Sequence, residues 1–454
     1  MKFSSWFKGI RLPRPPMAAP PVEMPAPEKV FLPLRQHRGA VAEPRVEPGQ
    51  AVKMGQVVGA SEEFESATVH ATVSGKVEAI KQVSDPAGQL VPTVVIASDG
   101  ADAWAAELAE LEAPFNSAAA VTQTRPSRLL KRLRESGLVR AAVQGRPLHV
   151  ELSPPMAPQS YLYMTGIPVM RPLDTLIIKA VDNDPPVSPN LACLSLAGMQ
   201  LEMGVAALAR ISGARRVILA LPAGADSSGL LALARANQWE AVAVSQTHYP
   251  YTLDNLLVLR LTGREVPSPY GEPRDVGVVV EPLITALDVG QVLASGRPVL
   301  ERLFSVSGQV NKPQTFRVRL GTPIGQVLQA AGGPSKAGKI IVGGPMMGLA
   351  QYDPHAPVTR ETEGVFVQAP ASVQHFTDQP CIHCGRCVSV CPVNLVPSDL
   401  GKLCEFQHFE AAAEKDLLSC IECGCCAYVC PSRRPMVHYL RHGKSEVLAR
   451  RMES

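Results

Sequence analysis

No stretch of this chain stays uncharged and apolar over the roughly 20 residues needed to cross a bilayer, and its first residues lack the apolar core of a signal peptide. The chain is therefore expected to remain on one side of any membrane it meets. A strong charge of either sign is also missing. With 44 Lys and Arg against 41 Asp and Glu, the formal balance is +3, which provides no general reason to expect nucleic acid as a partner. An oxidising compartment is disfavoured as well. Most of the 11 cysteines fall in two tight motifs whose thiolates oxidation would attack, so an intracellular setting is expected.

Those motifs are the most specific feature present. The spacing C-x2-C-x2-C-x3-C-P occurs at Cys381, Cys384, Cys387 and Cys391 before Pro392, and again at Cys420, Cys423, Cys426 and Cys430 before Pro431. Such a pair marks two 4Fe-4S clusters, in which three close thiolates take one cubane and the fourth cysteine reaches the other. Cys381, Cys384 and Cys387 are therefore grouped with Cys430, and Cys420, Cys423 and Cys426 with Cys391. Structural zinc would call for two C-x2-C pairs in one tetrahedral set, which this spacing does not match. Cys193 lies among Leu191, Leu194 and Leu196 and reads as a buried apolar thiol. Cys404 is not assigned, Cys425 is not needed as a ligand, and His383 and His438 are not counted as ligands.

The 454 residues are enough for about three domains. Residues 1–30 form a proline-rich lead with a basic and aromatic start (Lys2, Phe3, Trp6, Phe7, Lys8, Arg11, Arg14), a composition that suits a membrane surface or a disordered or partner-docked tail. Residues 31–98 read as short strands at 29–34, 45–47, 57–59, 68–73, 76–81 and 93–97, with turns at Pro48-Gly49 and Ser74-Gly75. This pattern suits a barrel-sandwich domain of the biotinyl or lipoyl type. Lys76 lacks the M-K-M or D-K-A tip of a modified lysine, so a structural or docking role is expected. A helix is expected within 101–123. Within 120–300, helical and strand-like runs alternate: 127–135 and LSLAGMQLEMGVAALARISG as helices, LDTLIIKAV and RRVILAL as strands, then SSGLLALARAN, EAVAVS and NLLVLRLTG. That alternation implies a parallel sheet whose strand ends would face a nucleotide or flavin. Residues 301–370 return to β-type sequence with one helix at 324–331. Gly343, Gly344 and Gly348 there could cradle a phosphate or make a tight packed turn; no Lys-Ser/Thr follows as in a P-loop. Residues 371–440 carry the cysteine motifs, and 441–454 form a basic tail, with a helix expected at 436–451.

Together these pieces resemble the C subunits of Rnf (Rsx) ion-translocating electron-transport complexes over nearly the whole chain. The resemblance is carried by PLRQHRGA at 33–40, VHATVSGKV at 69–77, SVSGQVNKPQTFRVRLGTPI at 305–324, VGGPMMG at 342–348, CIHCGRCVSVCPVNLVP and CIECGCCAYVCPS. It implies a multidomain α/β and β fold: a barrel-sandwich β domain, a Rossmann-like α/β domain similar to the flavoprotein subunit of respiratory complex I, a β-grasp SLBB domain and a two-cluster ferredoxin domain. It further implies electron flow from NADH through FMN and two 4Fe-4S clusters into a complex that moves ions. The implied partners are a ferredoxin-like B subunit, a D subunit and a soluble carrier (ferredoxin, flavodoxin or NADH), with the chain peripheral on the cytoplasmic side of the inner membrane.

The departures from the family are concentrated where FMN would bind. In place of a loop similar to G-x-G-G-x-G-F-P-T followed by Lys, the sequence between Gly137 and His149 runs Arg140, Ala141, Ala142, Val143, Gln144, Gly145, Arg146, Pro147, Leu148, with Glu151 at the lysine position. A stretch similar to N-G-A-E-C-E-P becomes KAVDNDPP, which keeps Asp182, Asp184 and Pro185 but has Lys179 and Ala180 for Asn-Gly. The usual N-V-G-T becomes PLIT at 282–285. Side chains at Ala142 and Val143, and an anion at Glu151, would oppose a flavin phosphate. The sequence therefore points first to an electron-transfer subunit of a translocase-class oxidoreductase that works through its clusters. The alternatives are a complete FMN-containing NADH-oxidising subunit and a non-catalytic docking or assembly subunit.

Overall fold

The computed structural model describes residues 8–13, 19–106, 114–142, 145–153, 172–333, 337–377 and 379–453. Val143, Gln144 and the aromatic residues Phe3, Trp6 and Phe7 lie outside the described residues, as do residues 107–113 of the stretch where a helix is expected. That helix is described as Ala118–Gln123.

The short strands near the N-terminus form two small sheets. Lys29–Pro33, Leu90–Ser98, Gly75–Ser84 and Ala51–Val52 make one, and Glu43–Pro44, Val57–Ala60 and Val69–His70 the other. Their inward residues, among them Val30, Leu32, Val58, Val73, Val94 and Ile96, close a common apolar core. The strand expected at 45–47 sits instead at Glu43–Pro44, and Ala51–Val52 is an additional one. Both are two-residue pairings, too short to leave a periodic signal. Gly75 is required at its turn: with φ of 155°, a Cβ there would lie 1.9 Å from the Ala97 carbonyl oxygen.

The next unit is a parallel sheet in the order Glu240–Val244, Arg216–Pro222, Thr175–Lys179, Val278–Pro282. Thr175–Lys179 and Val278–Pro282 are buried along their length, as expected of strands covered on both faces. One face packs against Met199–Ser212 and Leu283–Ser295, the other against Asp254–Thr262. The two helices on the first face meet through glycines, because a Cβ on Gly204 would fall 1.8 Å from the Ala286 carbonyl oxygen and one on Gly290 1.7 Å from that of Gln200. The long helix expected from LSLAGMQ onward is broken: a short 3-10 turn, Cys193–Leu196, precedes Met199–Ser212, with Gly198 extended between them. NLLVLRLTG is helical up to Thr262, in Asp254–Thr262, and its Gly263 is the left-handed cap.

A six-stranded sheet follows, ordered Leu349–Gln351, Lys339–Val342, Gly364–Gln368, Glu301–Gly308, Gln314–Arg319 and Val22–Glu23, with helix Ile324–Ala330 against it. The described parts of the N-terminal lead do not behave as a free tail. Ile10–Arg11 pairs with His248–Tyr249, and Val22–Glu23 adds the sixth strand, where Glu23 also meets Arg317 at 2.9 Å. The lead's unpaired N–H and C=O groups find sheet edges to bond, which is the physical reason it docks.

The cysteine-rich region is helical, and it ends in one helix, Met436–Glu453. The boundary expected at residue 440 therefore falls inside an element. The basic stretch beyond it is the second half of a helix whose Leu440 and Val447 are buried against Leu400, Phe409 and Leu417. Among the described residues no single helix is long and apolar enough to cross a membrane. A bent pair, Pro189–Leu196 and Met199–Ser212, meets that test by composition, but much of Met199–Ser212 is buried in the core of the parallel-sheet unit.

Three units meet around buried histidines. Arg360 donates to the carbonyl of Thr68 (2.8 Å) and to that of Gly137. His37 Nε2 accepts from the Ala67 N–H at 3.0 Å, and His149 Nε2 lies 2.7 Å from the Phe64 carbonyl. Burial, with Arg360 nearby, holds His37 down to about 4 and His70 to about 3. A histidine whose folded pKa is depressed binds fewer protons folded than unfolded, so its contribution is intact above the unfolded value near 6.5 and is lost as pH falls below it. Relative to a His37→Gln variant, the parent should lose on the order of 1–2 kcal/mol more stability between pH 7 and pH 5, read by urea unfolding at the two pH values.

Candidate metal centres

The second cysteine loop is clamped before any metal is considered. Glu422 bridges Arg441 (2.8 Å) and Lys444 (2.6 Å) of the last helix. Lys444 also donates to the Cys420 carbonyl at 2.8 Å, and the Tyr249 hydroxyl donates to the Cys423 carbonyl at 2.6 Å. The loop is thus tied both to the last helix and to the end of the short strand His248–Tyr249 beside the parallel sheet. Met346 and Met347 of the glycine-rich turn pack on it together with Ile10.

Around that loop the structure brings together Cys391, Cys420, Cys423 and Cys426, which line one mostly apolar cavity with Pro392, Leu395, Leu400, Ile421 and Leu440. Cys391 is thus brought across from the first motif to the second, and Cys425 lines the same cavity. Glu422 lines the cavity too, but its carboxylate is held by Arg441 and Lys444, so the donors left to a ligand are sulfurs, a soft set that fits an iron–sulfur cluster. The Leu395 N–H points at Cys391 Sγ (3.3 Å) and the Glu422 N–H at Cys420 Sγ (3.4 Å), contacts of the kind that tune cluster potential. Burial pushes the Cys420 thiol up to about 11 and raises Cys426 further, so these thiolates need the charge of bound iron. Cys425 is buried beside them without being needed as a ligand, and Cys193 and Cys404 are buried in apolar clusters.

The other set is open by comparison. Cys384 is exposed and Cys381, Cys387 and Cys430 are half-buried. Cys387 lies within electrostatic reach of Cys381 and accepts hydrogen bonds from Ser398. His383 and His438 are exposed, and His438 stands edge-on to Phe376. The basic residues of the C-terminal helix are mostly engaged within the chain: besides Arg441 and Lys444, Arg450 meets Glu410 and Arg451 meets the Tyr270 hydroxyl. Just before the helix, Arg434 meets Glu405.

The crevice at the carboxyl ends of the parallel strands is filled by the protein itself. It opens between Thr175–Lys179 and Val278–Pro282, where the strand order reverses and a ligand would normally sit. Lys179, 2% exposed, donates to Asp254 (2.7 Å), Asn183 (2.7 Å) and the Thr252 carbonyl (3.2 Å). Arg140 pairs with the same Asp254, donates to the Val280 carbonyl at 3.2 Å and lies 3.8 Å from Glu281. Glu281 is fully buried with neither carboxylate oxygen hydrogen-bonded, and burial, with Glu151 and Asp254 adding repulsion, raises its pKa well above the usual range. Asp254 is held low by Arg140 and Lys179 despite its burial.

In the loop expected to meet a flavin phosphate, four described N–H groups are bonded within the protein. The Arg140 N–H bonds the Arg146 carbonyl (2.9 Å), Ala141 the Thr285 hydroxyl (3.0 Å), Ala142 the Arg140 carbonyl (2.8 Å) and Gly145 the Ala142 carbonyl (2.9 Å). A Cβ on Gly145 would lie 2.2 Å from the Arg140 carbonyl oxygen, so this glycine serves the loop's own closure. The described part of the loop, with Ala142 buried and Glu151 within electrostatic reach of Arg140 and Glu281, does not fit the phosphate of FMN. Asp182 instead accepts from the N–H groups of Asn190 and Leu191, and Asp184 from those of Met346 (2.7 Å) and Met347 (3.2 Å). The glycine-rich turn is accordingly a packed turn, with Gly344 against Asp184. Asp254 and Glu281 were missed by sequence reasoning; the only trace of Glu281 is one acid ending the apolar run VVVEP.

Residues 9–101 match the family model described as the RnfC barrel sandwich hybrid domain, 303–350 the SLBB domain and 380–433 the 4Fe-4S dicluster domain. The chain is 32% identical over 94% of its length to the C subunit of the proton-translocating ferredoxin:NAD(+) oxidoreductase complex of Clostridium ljungdahlii, of which it covers 90%. It is 31% identical over 94% of its length to the C subunit of the Na(+)-translocating ferredoxin:NAD(+) oxidoreductase complex of Acetobacterium woodii, covering 92% of that protein. The C subunit of the ion-translocating oxidoreductase complex of Methanosarcina acetivorans is 32% identical, with 94% of each protein covered. Among solved structures, an NAD+-reducing NiFe-hydrogenase aligns with TM-score 0.48 at 18% identity, over 73% of this chain and 65% of that one.

Proposed function

The chain belongs to the family of C subunits of ion-translocating oxidoreductase complexes, and from that premise we propose that it carries electrons through two 4Fe-4S clusters without oxidising NADH on a flavin of its own. The observation that supports this most is the contrast between two neighbouring sites: a complete four-thiol cavity at Cys391, Cys420, Cys423 and Cys426, and a crevice whose cations are already paired to Asp254. When bound, the clusters supply one-electron redox capacity.

The residues act around them. Cys391, Cys420, Cys423 and Cys426 hold the inner cluster, and Cys381, Cys384, Cys387 and Cys430 the outer. Glu422, Arg441, Lys444 and Tyr249 keep the inner loop in place. Leu395, Leu400 and Leu440 exclude water from it, and the exposed Cys384 loop faces the exchange partner. The chain works as a peripheral subunit on the cytoplasmic side of the inner membrane, with other members of an Rnf-type complex, including a ferredoxin-like B subunit and a D subunit, as partners.

A cofactor inventory of anaerobically purified protein tests this reading. About eight irons and eight sulfides per chain are expected, with flavin far below one per chain and slow bleaching of the clusters by NADH. Stoichiometric FMN with rapid bleaching would return the chain to the NADH-oxidising reading; two zinc ions and no sulfide would overturn the clusters themselves.

A further inference from the structure

The described start of the chain, residues 8–13, is remote from the cysteine motifs in sequence but packs beside the inner set. Ile10 and Arg11 pair antiparallel with Tyr249 and His248, and the Leu12 N–H donates to the Thr247 carbonyl at 2.9 Å. The approach is close. Gly9 has φ of 130°, and a Cβ there would lie 2.4 Å from the Tyr249 carbonyl oxygen, so the position requires glycine. Ile10 and Leu12, two apart on an extended segment, share a face. Ile10, 9% exposed, joins Tyr249, Cys423 and Cys425 in one apolar cluster, and Leu12, Val390 and Ile421 pack against it. Val390 precedes Cys391 and Ile421 follows Cys420, so this cluster takes in both motifs that supply the inner set. Lys8, half-buried, lies within electrostatic reach of Cys391. A segment that only docked on a sheet edge would satisfy its backbone with any side chains; this one brings its apolar face and a cation to the inner set.

We infer that residues 8–12 form a strap over the inner cluster, in which Ile10 and Leu12 seal the wall at Cys423, Cys425 and Val390 against water and oxygen and the Lys8 ammonium raises the cluster's potential. The inference rests on the electron-transfer reading above and adds residues that no cysteine spacing includes. The apolar shell of a metal site controls solvent access, and through it potential and lability. Reduction adds one negative charge to the cluster, so a cation beside Cys391 favours the reduced form. By drawing Val390 and Ile421 onto one apolar cluster, the strap also holds Cys391 on the side of the second motif. Lys8, Ile10 and Leu12 are positioning and shielding residues; the ligands remain the four thiolates.

The test uses the cluster-loaded full chain, with the two cluster signals followed separately by electron paramagnetic resonance, first in a redox titration and then on exposure to air. Gly9→Val cannot keep the close approach to Tyr249 and should lose the inner signal about tenfold faster in air, while the outer signal decays as in the parent. Lys8→Glu should move the inner midpoint to a more negative potential and leave the outer one in place, and Lys8→Arg should restore the parent value. An unchanged outer signal shows that the cysteine-rich region of each variant is folded. If Gly9→Val loaded neither cluster, Ile10→Ser, which keeps the backbone pairing and removes the apolar contact, would replace it in the air experiment. Inner decay as slow as the parent's would overturn the seal, and a parent-like inner midpoint in Lys8→Glu would overturn the role of the cation. A parent protein without clusters would instead remove the electron-transfer reading itself; clusters present in the parent and indifferent to all the variants would remove only the strap.

Discussion

Replacing Cys391 by Ala is expected to cost the protein about half its iron, roughly four of eight atoms, and to take them from the cluster of the other motif. Cys391 follows closely on Cys387 in the chain, yet its thiol lines the cavity of Cys420, Cys423 and Cys426 and lies within electrostatic reach of Cys423. The short helix Arg386–Val390 and the buried Pro397 and Leu400 beyond it carry the chain over to that side. The residual spectrum of Cys391→Ala should therefore coincide with that of Cys423→Ala, while Cys384→Ala should leave the complementary signal. If Cys391→Ala and Cys384→Ala gave the same residual spectrum, the crossed grouping would be wrong.

Asp254→Ala should be the most destabilising single change in the parallel-sheet unit. It removes the one carboxylate paired with both Arg140 and Lys179, leaving two buried cations; Glu281, 3.8 Å from Arg140, and Glu363, within electrostatic reach of both, are each pushed toward the neutral form by burial. Breaking a buried pair by deleting one partner typically costs 3–5 kcal/mol; because the Asp254 side chain keeps 24% of its surface exposed, a loss of about 3 kcal/mol is expected. Asp254→Asn keeps an acceptor for both donors and should lose roughly half as much. Urea unfolding at neutral pH measures both. Since Asp254 is held below the ordinary carboxylate range, its contribution is present above that range and disappears as pH falls through it, so parent and Asp254→Asn should converge in strong acid. Equal stability of all three proteins at neutral pH would mean that the crevice is not held by this network.

The 4Fe-4S dicluster domain was legible in the sequence because cluster motifs are local: a cubane needs three thiolates within a few residues, and the spacing survives as a string. The same holds for the alternation of apolar strands and helices and for the turn at Gly75, where a backbone conformation demands one residue type. The crevice was legible only in part. Glycines replaced at Arg140 and Ala142 and the acid at Glu151 stand out against the family pattern, but the ion-pair network at the strand ends does not, since Arg140, Lys179, Asp254 and Glu281 come from four separate segments.

The sequence by itself determined the chemistry, two sets of four thiolates on a chain built of β, α/β and helical units, because ligand type, short-range spacing and hydrophobic period are properties of neighbouring residues. Tertiary structure decided the arrangement. It covered one set with Tyr249 and Met346 and left the other half-buried to exposed, docked the proline-rich lead on two sheet edges, and turned polar groups at the strand ends on one another. Those outcomes depend on which distant segments compete for the same buried volume and the same unsatisfied donors, and that competition leaves no periodic or local trace in the chain.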